Sequence, residues 1–445
     1  MRRPLGAAAA ALSFLAPAAA AAAGFADPPP APPPGAADAP IPIDALIEAL
    51  LEEHRAQEAD AVLASLLASD PRNTDLLFLS GMVAMERDDH QRAIRLFRAI
   101  LIDHPKAERV RLELGRAFFV AGDYGNAARQ FQFASAGHPP PVVQANIDKY
   151  LYAIRQAKAL SYSLDLSLAP DSNLNGGSSS REVTLYGLPF DLSDEAQRHS
   201  GVGAQLGATG EWAPHLGANS RLRLGASLQR REYSGSRFDD MTAALYAGPR
   251  FVMRRWDLSL LATASRRWYG ARPYDVAAGG RITATYYVTP QVGLTTDLSV
   301  QTVRYDAATH LTGLLSSLGE TIVYALTPSS GVVGRAGISR TRARADAYAN
   351  WSGYLAAGYF RDLPAGFSAY VETSLAVGSY DASLPAFGAR RVDLASSTMI
   401  NLLNRHIVLS RFTPRLSYSY TYQHSTIPLY SFDRNRVELG LTTTF

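Results

Sequence analysis

The chain has 445 residues, a formal net charge of +3 and no cysteine. That length allows two or three domains, and the near-balanced charge argues against a whole-chain nucleic-acid footprint. The missing thiols exclude disulfides, thiol catalysis, Cys-type metal sites and lipid attachment through an N-terminal Cys.

Residues 1–26 read as an export signal. Arg2 and Arg3 supply positive charge, Leu5 to Ala16 a short apolar segment, and small residues follow, with cleavage expected near Ala23 or Ala26. Residues 27–42 are rich in Pro and Ala. Pro removes backbone donors and favours extended chain, so a linker is expected. The sequence holds no apolar run long enough for a membrane-spanning helix, so membrane residence must come from strands.

From 43 to 158 the apolar period is helical and a repeat emerges. Gly81 and Gly115 are 34 residues apart, as are Ala93 and Ala127, Phe97 and Phe131, and Pro105 and Pro139. A weaker earlier copy places Ala59, Leu63 and Pro71. This spacing is that of the tetratricopeptide (TPR) pattern. Small residues let antiparallel helices touch, Phe fills the gap between repeats and Pro stops the second helix. Such solenoids bind partners along a concave groove. Carrying over the groove positions of the pattern gives Asp75, Phe78, Met82, Met85 and Glu86, then Arg109, Leu112, Arg116 and Phe119. That lining, apolar with charges of both signs, suits a peptide or a protein surface.

From 159 to 445 the period becomes two. Leu164, Leu166 and Leu168 share one face, and Ser163, Asp165 and Ser167 the other. The alternation recurs in about 14 segments, each long enough for a tilted membrane crossing. Their expected starts are 160, 200, 220, 239, 256, 277, 291, 311, 331, 347, 367, 389, 407 and 433. Short turns include Pro214–Asn219, Arg254–Arg255 and Leu363–Gly366; longer loops include Pro170–His199, Ala271–Asp275 and Ala382–Gly388. Trp212 and Trp256 fall beside short turns, Trp268 and Trp351 beside long loops, as two interfacial girdles require. The fold expected is a helical TPR solenoid followed by a transmembrane antiparallel β-barrel. Alternation alone aims Asp165, Arg223, Asp297, Glu372 and Arg415 at the lumen.

The last strand ends Glu438, Gly440, Thr443, Phe445. This order resembles the terminal signal read by the bacterial barrel-assembly machinery, with Glu438, Gly440 and Phe445 in the matching places. Thr443 stands where an apolar residue is usual. None of the nine His residues forms a metal cluster by spacing, and no phosphate loop or nucleophile elbow occurs. No enzymatic activity and no cofactor are expected.

The stretch Ala-Pro-Asp-Ser-Asn-Leu-Asn at 169–175, containing Pro170, Asp171, Ser172 and Asn173, follows the first strand. With the signal, the TPR region and the barrel, it resembles the surface lipoprotein assembly modulator (Slam) family. The resemblance implies an outer-membrane translocator with its TPR domain in the periplasm. Its partners would be a client surface lipoprotein or secreted protein, a periplasmic chaperone, the barrel-assembly machinery and outer-membrane lipid, with no nucleic acid. The alternative is a TPR-containing barrel that exports an exopolysaccharide. Sugar passage would favour aromatic platforms in the lumen, whereas most strand tyrosines, such as Tyr418 and Tyr420, fall on the apolar face.

Overall fold

A computed structural model describes residues 42–157, 159–404, 407 and 412–443. The expected export signal, most of the linker, Lys158, His406 and Phe445 lie outside the described residues.

Seven helices come first: α1 Ile43–Glu52, α2 Ala56–Ser69, α3 Thr74–Glu86, α4 His90–Asp103, α5 Glu108–Val120, α6 Tyr124–Ser135 and α7 Pro141–Ala157. Short polar side chains start three of them. Asn73 accepts from the backbone N–H groups of Asp75 and Leu76, Asp89 from that of Arg92, and Asp123 from that of Asn126. The 34-residue repeat marks the tightest helix contacts. A Cβ built on Gly81 would lie 2.4 Å from the Phe97 ring, and one on Gly115 would lie 3.0 Å from the Phe131 ring. Ala93, Ala127, Phe97 and Phe131 are all buried. Gly81→Ala therefore sets two effects against each other. Better helix propensity contributes up to about 1 kcal/mol, and overpacking costs about 1–3 kcal/mol. Phe97 is fully enclosed and has nowhere to retreat, so a net loss of helical-domain stability is expected. A thermal melt of the protein that showed Gly81→Ala to be stabilising would contradict this packing.

Fourteen long strands follow: β1 Leu160–Asp171, β2 Gly201–Trp212, β3 Ser220–Tyr233, β4 Asp240–Val252, β5 Trp256–Tyr269, β6 Arg272–Thr289 and β7 Val292–Tyr305. The second half comprises β8 Gly313–Thr327, β9 Ser330–Ala343, β10 Asn350–Asp362, β11 Phe367–Leu384, β12 Ala389–Asn404, β13 Thr413–Ser425 and β14 Phe432–Thr442. Each pairs antiparallel with its sequence neighbour, and β1 pairs with β14, which closes the ring. Closure leaves no open edge, as a membrane-spanning sheet requires.

The outer face is apolar. Leu245 is 63% exposed, Leu355 66% and Leu375 57%. Monomeric water-soluble proteins do not expose apolar surface on this scale, whereas a bilayer covers it. Trp212 and Trp256 sit at the turn end of the ring, Trp268 and Trp351 at the loop end. In the middle of the belt an acid breaks the outer pattern. Glu320 follows the register of Leu318 and Ile322, so it shares their face, and it accepts a hydrogen bond from Thr296 Oγ1 at 2.7 Å.

Two boundaries differ from the sequence reading. The long loop expected at Ala271–Asp275 is a two-residue turn, Gly270-Ala271, with φ of 57° and 59°. These positive angles suit a tight hairpin, and β6 begins at Arg272 rather than 277. The loop expected at Ala382–Gly388 shrinks because β11 runs on to Leu384. The long first loop does exist, and it carries a hairpin of Glu182–Leu185 with Leu188–Asp191.

Candidate transport site: groove, joint, lumen and seam

The groove residues lie on α3 and α5. Asp75, Glu86 and Arg109 are exposed, and Phe78, Met82, Leu112, Arg116 and Phe119 are half-buried. Met85 is buried in the core between helices, so it shapes the solenoid instead of offering contact surface. Phe78 lies 5.8 Å from the Phe97 ring and carries the Arg109 guanidinium 4.9 Å over its own ring. Phe119 meets Tyr150 edge-on at 5.2 Å. Arg116 donates to Glu113 at 2.9 Å. Burial pushes the Glu113 carboxyl above its usual range, against the pull of Arg116 and Arg109.

The solenoid is fixed to the turn end of the barrel. Arg111 of α5 is fully buried. It donates to Pro105 O at 2.6 Å, to Gln130 Oε1 at 2.9 Å and to Asp362 Oδ2 at 3.2 Å. Asp362 ends β10 and is also buried; it accepts from Ser368 Oγ at 2.7 Å. Phe133 meets Phe360 beside this pair, the ring centres 5.7 Å apart and the planes tilted by 40°. Further along the rim, Gln291 donates to Ser135 O at 2.5 Å, and Arg155 donates to Arg254 O at 2.9 Å. Arg221 donates to Gln156 O. Among the described residues, the polar and ring contacts of the helices with the barrel fall on the rim from the β2–β3 turn to the β10–β11 turn. The sequence reading missed this joint. Its one signal was Arg111 interrupting the apolar stripe of Val110, Leu114, Ala117 and Phe118.

Inside the ring, charges pair across strands. Arg223 meets Glu211 Oε2 at 2.5 Å, and Tyr246 donates to the same oxygen at 2.5 Å. Asp297 accepts from Thr283 Oγ1 at 2.6 Å. Glu372 pairs with Arg335 and Tyr370. Asp165 faces Arg415 at 3.8 Å, and Arg415 reaches Glu438 at 3.5 Å. All five sequence-derived lumen candidates thus occupy the face opposite the apolar belt. That face also carries Tyr233, Tyr246, Tyr354 and Tyr370, so the lumen holds more aromatic surface than alternation at Tyr418 and Tyr420 suggested. All four of these tyrosines press on a glycine of a neighbouring strand, at Gly203, Gly225, Gly337 and Gly358. A Cβ on Gly225 would lie 2.0 Å from the Tyr246 ring, and one on Gly337 would lie 2.4 Å from the Tyr354 ring.

The Pro-Asp-Ser-Asn stretch stands at the loop end of the β1–β14 seam. The Asp171 side chain is fully enclosed. It accepts from Arg434 Nη2 at 2.5 Å and from Asn173 N at 2.9 Å, and Arg436 Nε lies 4.0 Å away. Ser172 N donates to Asn435 O at 2.9 Å, and Asn435 N donates to Ser172 Oγ at 2.8 Å. The Asn173 side chain, also buried, donates to Gly177 O at 3.0 Å and Asp433 O at 3.3 Å. The stretch is thus more than a turn leaving β1, because it ties the first strand to the last. Glu438 and Gly440 lie on β14 facing the lumen; Thr443 extends the seam by donating to Leu164 O at 3.1 Å and accepting from Leu164 N at 3.0 Å. Among the described residues, no group of three or more acidic or His side chains could hold a metal ion.

The family described as surface lipoprotein assembly modifier matches residues 162–445, which is the barrel and the Asp171 stretch together. This chain belongs to that family. Tetratricopeptide repeats match at 45–108 and 78–139. A relative from Neisseria meningitidis serogroup B, surface lipoprotein assembly modifier 1, is 24% identical over 83% of this chain and 75% of its own length. Another from Haemophilus influenzae Rd, also surface lipoprotein assembly modifier 1, is 23% identical over 91% of this chain and 84% of its own. Among solved structures, the Acinetobacter baumannii outer membrane channel DcaP aligns at 10% identity and a TM-score of 0.38, covering 64% of this chain and 97% of that one. As a family member with a closed, lipid-facing ring, the chain is an outer-membrane protein whose helical region lies on the periplasmic side.

Proposed function

We propose that this protein moves particular surface lipoproteins, or related secreted proteins, from the periplasm to the cell surface. The helical groove captures the client or its complex with a periplasmic chaperone, and the barrel provides the passage. One observation carries the reading: a barrel that belongs to the surface lipoprotein assembly modifier family carries a tetratricopeptide solenoid fixed to its turn-end rim. A polysaccharide exporter finds no comparable support. The barrel-assembly machinery would insert the chain by reading Glu438, Gly440 and Phe445. The sequence has no nucleotide site, so the driving force must come from client binding, folding outside the cell or chaperone release.

Deleting Ile43–Lys158 while keeping the barrel is expected to lower client display on intact cells at least tenfold. Reversing the exposed groove charges (Asp75→Lys, Glu86→Lys and Arg109→Glu together) keeps the solenoid core and is expected to reduce display several-fold. Surface labelling that stays at the wild-type level in both variants would contradict the scheme.

A further inference from the structure

Among the described residues, the β1–β14 seam carries the shortest main-chain ladder of the ring: five register pairs, against ten or more between every other pair of neighbouring long strands. Beside it, β1 pairs with β2 without a break from Leu160 to Asp171. Against β14, the described ladder holds from Leu164 to Leu168, skips Ala169 and Pro170, and resumes only at Asp171. Pro170 has no N–H to donate there. Side chains make up the deficit, all on the lumen face. Arg434 and Arg436 of β14 reach back to Asp171 of β1, Arg415 of β13 reaches across β14 to Asp165 of β1, and Arg436 donates to Gln205 of β2 at 2.6 Å. The outer cluster is shielded, with Asp171 enclosed and Arg436 nearly so, whereas the Arg415–Asp165 pair further along, 3.8 Å apart and 28% and 33% exposed, is weak and open to water and salt. No described contact of the helical domain bridges β1 to β14.

Resting on the function proposed above, we infer that this seam is a lateral opening through which the acyl chains of a lipid-anchored client pass, while its polypeptide travels in the lumen. Chemistry sets the division. The lumen wall carries Arg223, Arg335, Arg415 and their acidic partners, and an acyl chain drawn past them would leave lipid for water at a cost that grows with each methylene. A slit between β1 and β14 keeps the chains in the bilayer. The Asp171 cluster then acts as the outer latch, and the bond-poor step at Pro170 as the place where the pair parts.

The chain has no native cysteine, so a covalent seal is clean to engineer. Leu168 and Leu439 are register partners across the seam, and Leu166 and Leu206 are partners across β1–β2. Each pair is replaced by two cysteines and closed in cells by oxidation or by a short bis-maleimide, with closure confirmed on a gel. The probes are those native lipoproteins that lose surface labelling when the whole gene is deleted, each with and without its acylated cysteine. Sealing 168–439 is expected to cut display of the acylated form at least tenfold, with recovery on reduction of the disulfide. The unacylated form should still pass, and sealing 166–206 should change neither. Normal display of the acylated form through a sealed seam would overturn the inference, as would an equal block of both forms. If gene deletion costs no lipoprotein its surface labelling, the proposed function fails, which is a different result from either.

Discussion

Arg111→Ala is expected to loosen the helical domain from the barrel, costing about 3–5 kcal/mol at that joint. The guanidinium is 0% exposed and its partner Asp362 is 3% exposed. Removing one side leaves a carboxylate without its main counter-charge, away from water. Arg129, 3.6 Å from the other Asp362 oxygen, can recover only part of the loss because it is itself one-third exposed. The Phe133 ring, over which Arg111 lies at 5.1 Å, also loses a contact. Limited proteolysis of native membranes is the measurement. The variant should release the helical fragment by cleavage near Ala157–Leu160 at protease levels that leave the wild type intact, and client display should fall with it. Arg111→Met with Asp362→Leu removes both charges at once, and apolar replacements of a buried pair are often neutral or better. That double variant should regain protease resistance. If Arg111→Ala is as resistant as the wild type, the joint is held elsewhere, with Gln291, Arg155 and Arg221 among the remaining rivets.

What could be read in advance follows from how each feature is encoded. The alternation of Leu164, Leu166 and Leu168 with Ser163, Asp165 and Ser167 is local, and a strand of this length in a bilayer must repeat it. The ring and its strand number are therefore legible residue by residue. The 34-residue spacing of Gly81 and Phe97 with Gly115 and Phe131 is local in the same way, because each glycine receives the ring of its own repeat. The joint is different. Arg111 and Asp362 stand 251 positions apart, and nothing near either residue specifies the other. Glu320 shows a second limit: a single acid on the lipid face leaves the period intact, so the pattern passes over it. Gly270-Ala271 shows a third. Ala rarely takes positive φ, so its presence argued against a tight turn that the hairpin register nevertheless imposes.

The Pro-Asp-Ser-Asn stretch makes the strongest demand on the barrel itself. Asp171→Ala should lower barrel stability by about 2–3 kcal/mol, since it removes charge-assisted bonds and strands their donors. Arg434 loses its bidentate partner, with Nε at 3.0 Å and Nη2 at 2.5 Å. Arg436, only 10% exposed at its side chain, keeps Glu438 at 2.9 Å and Gln205 at 2.6 Å. The loss therefore concentrates at Arg434 and at the Asn173 backbone N–H, which no longer has an acceptor for its turn. Asp171→Asn tests the same site at constant shape. It keeps an acceptor for Asn173 but presents a neutral amide to two guanidiniums, so an intermediate loss is expected. Denaturant unfolding from micelles, followed by the mobility shift of the heated protein, measures both. Because Pro170 already breaks the main-chain ladder, only the Ser172–Asn435 bonds and the Asn173 side chain remain to hold that end, and β1 should part from β14 there first. Equal stability of Asp171→Ala and the wild type would mean that the Ser172–Asn435 bonds and the Asn173 side chain hold the seam without the carboxylate.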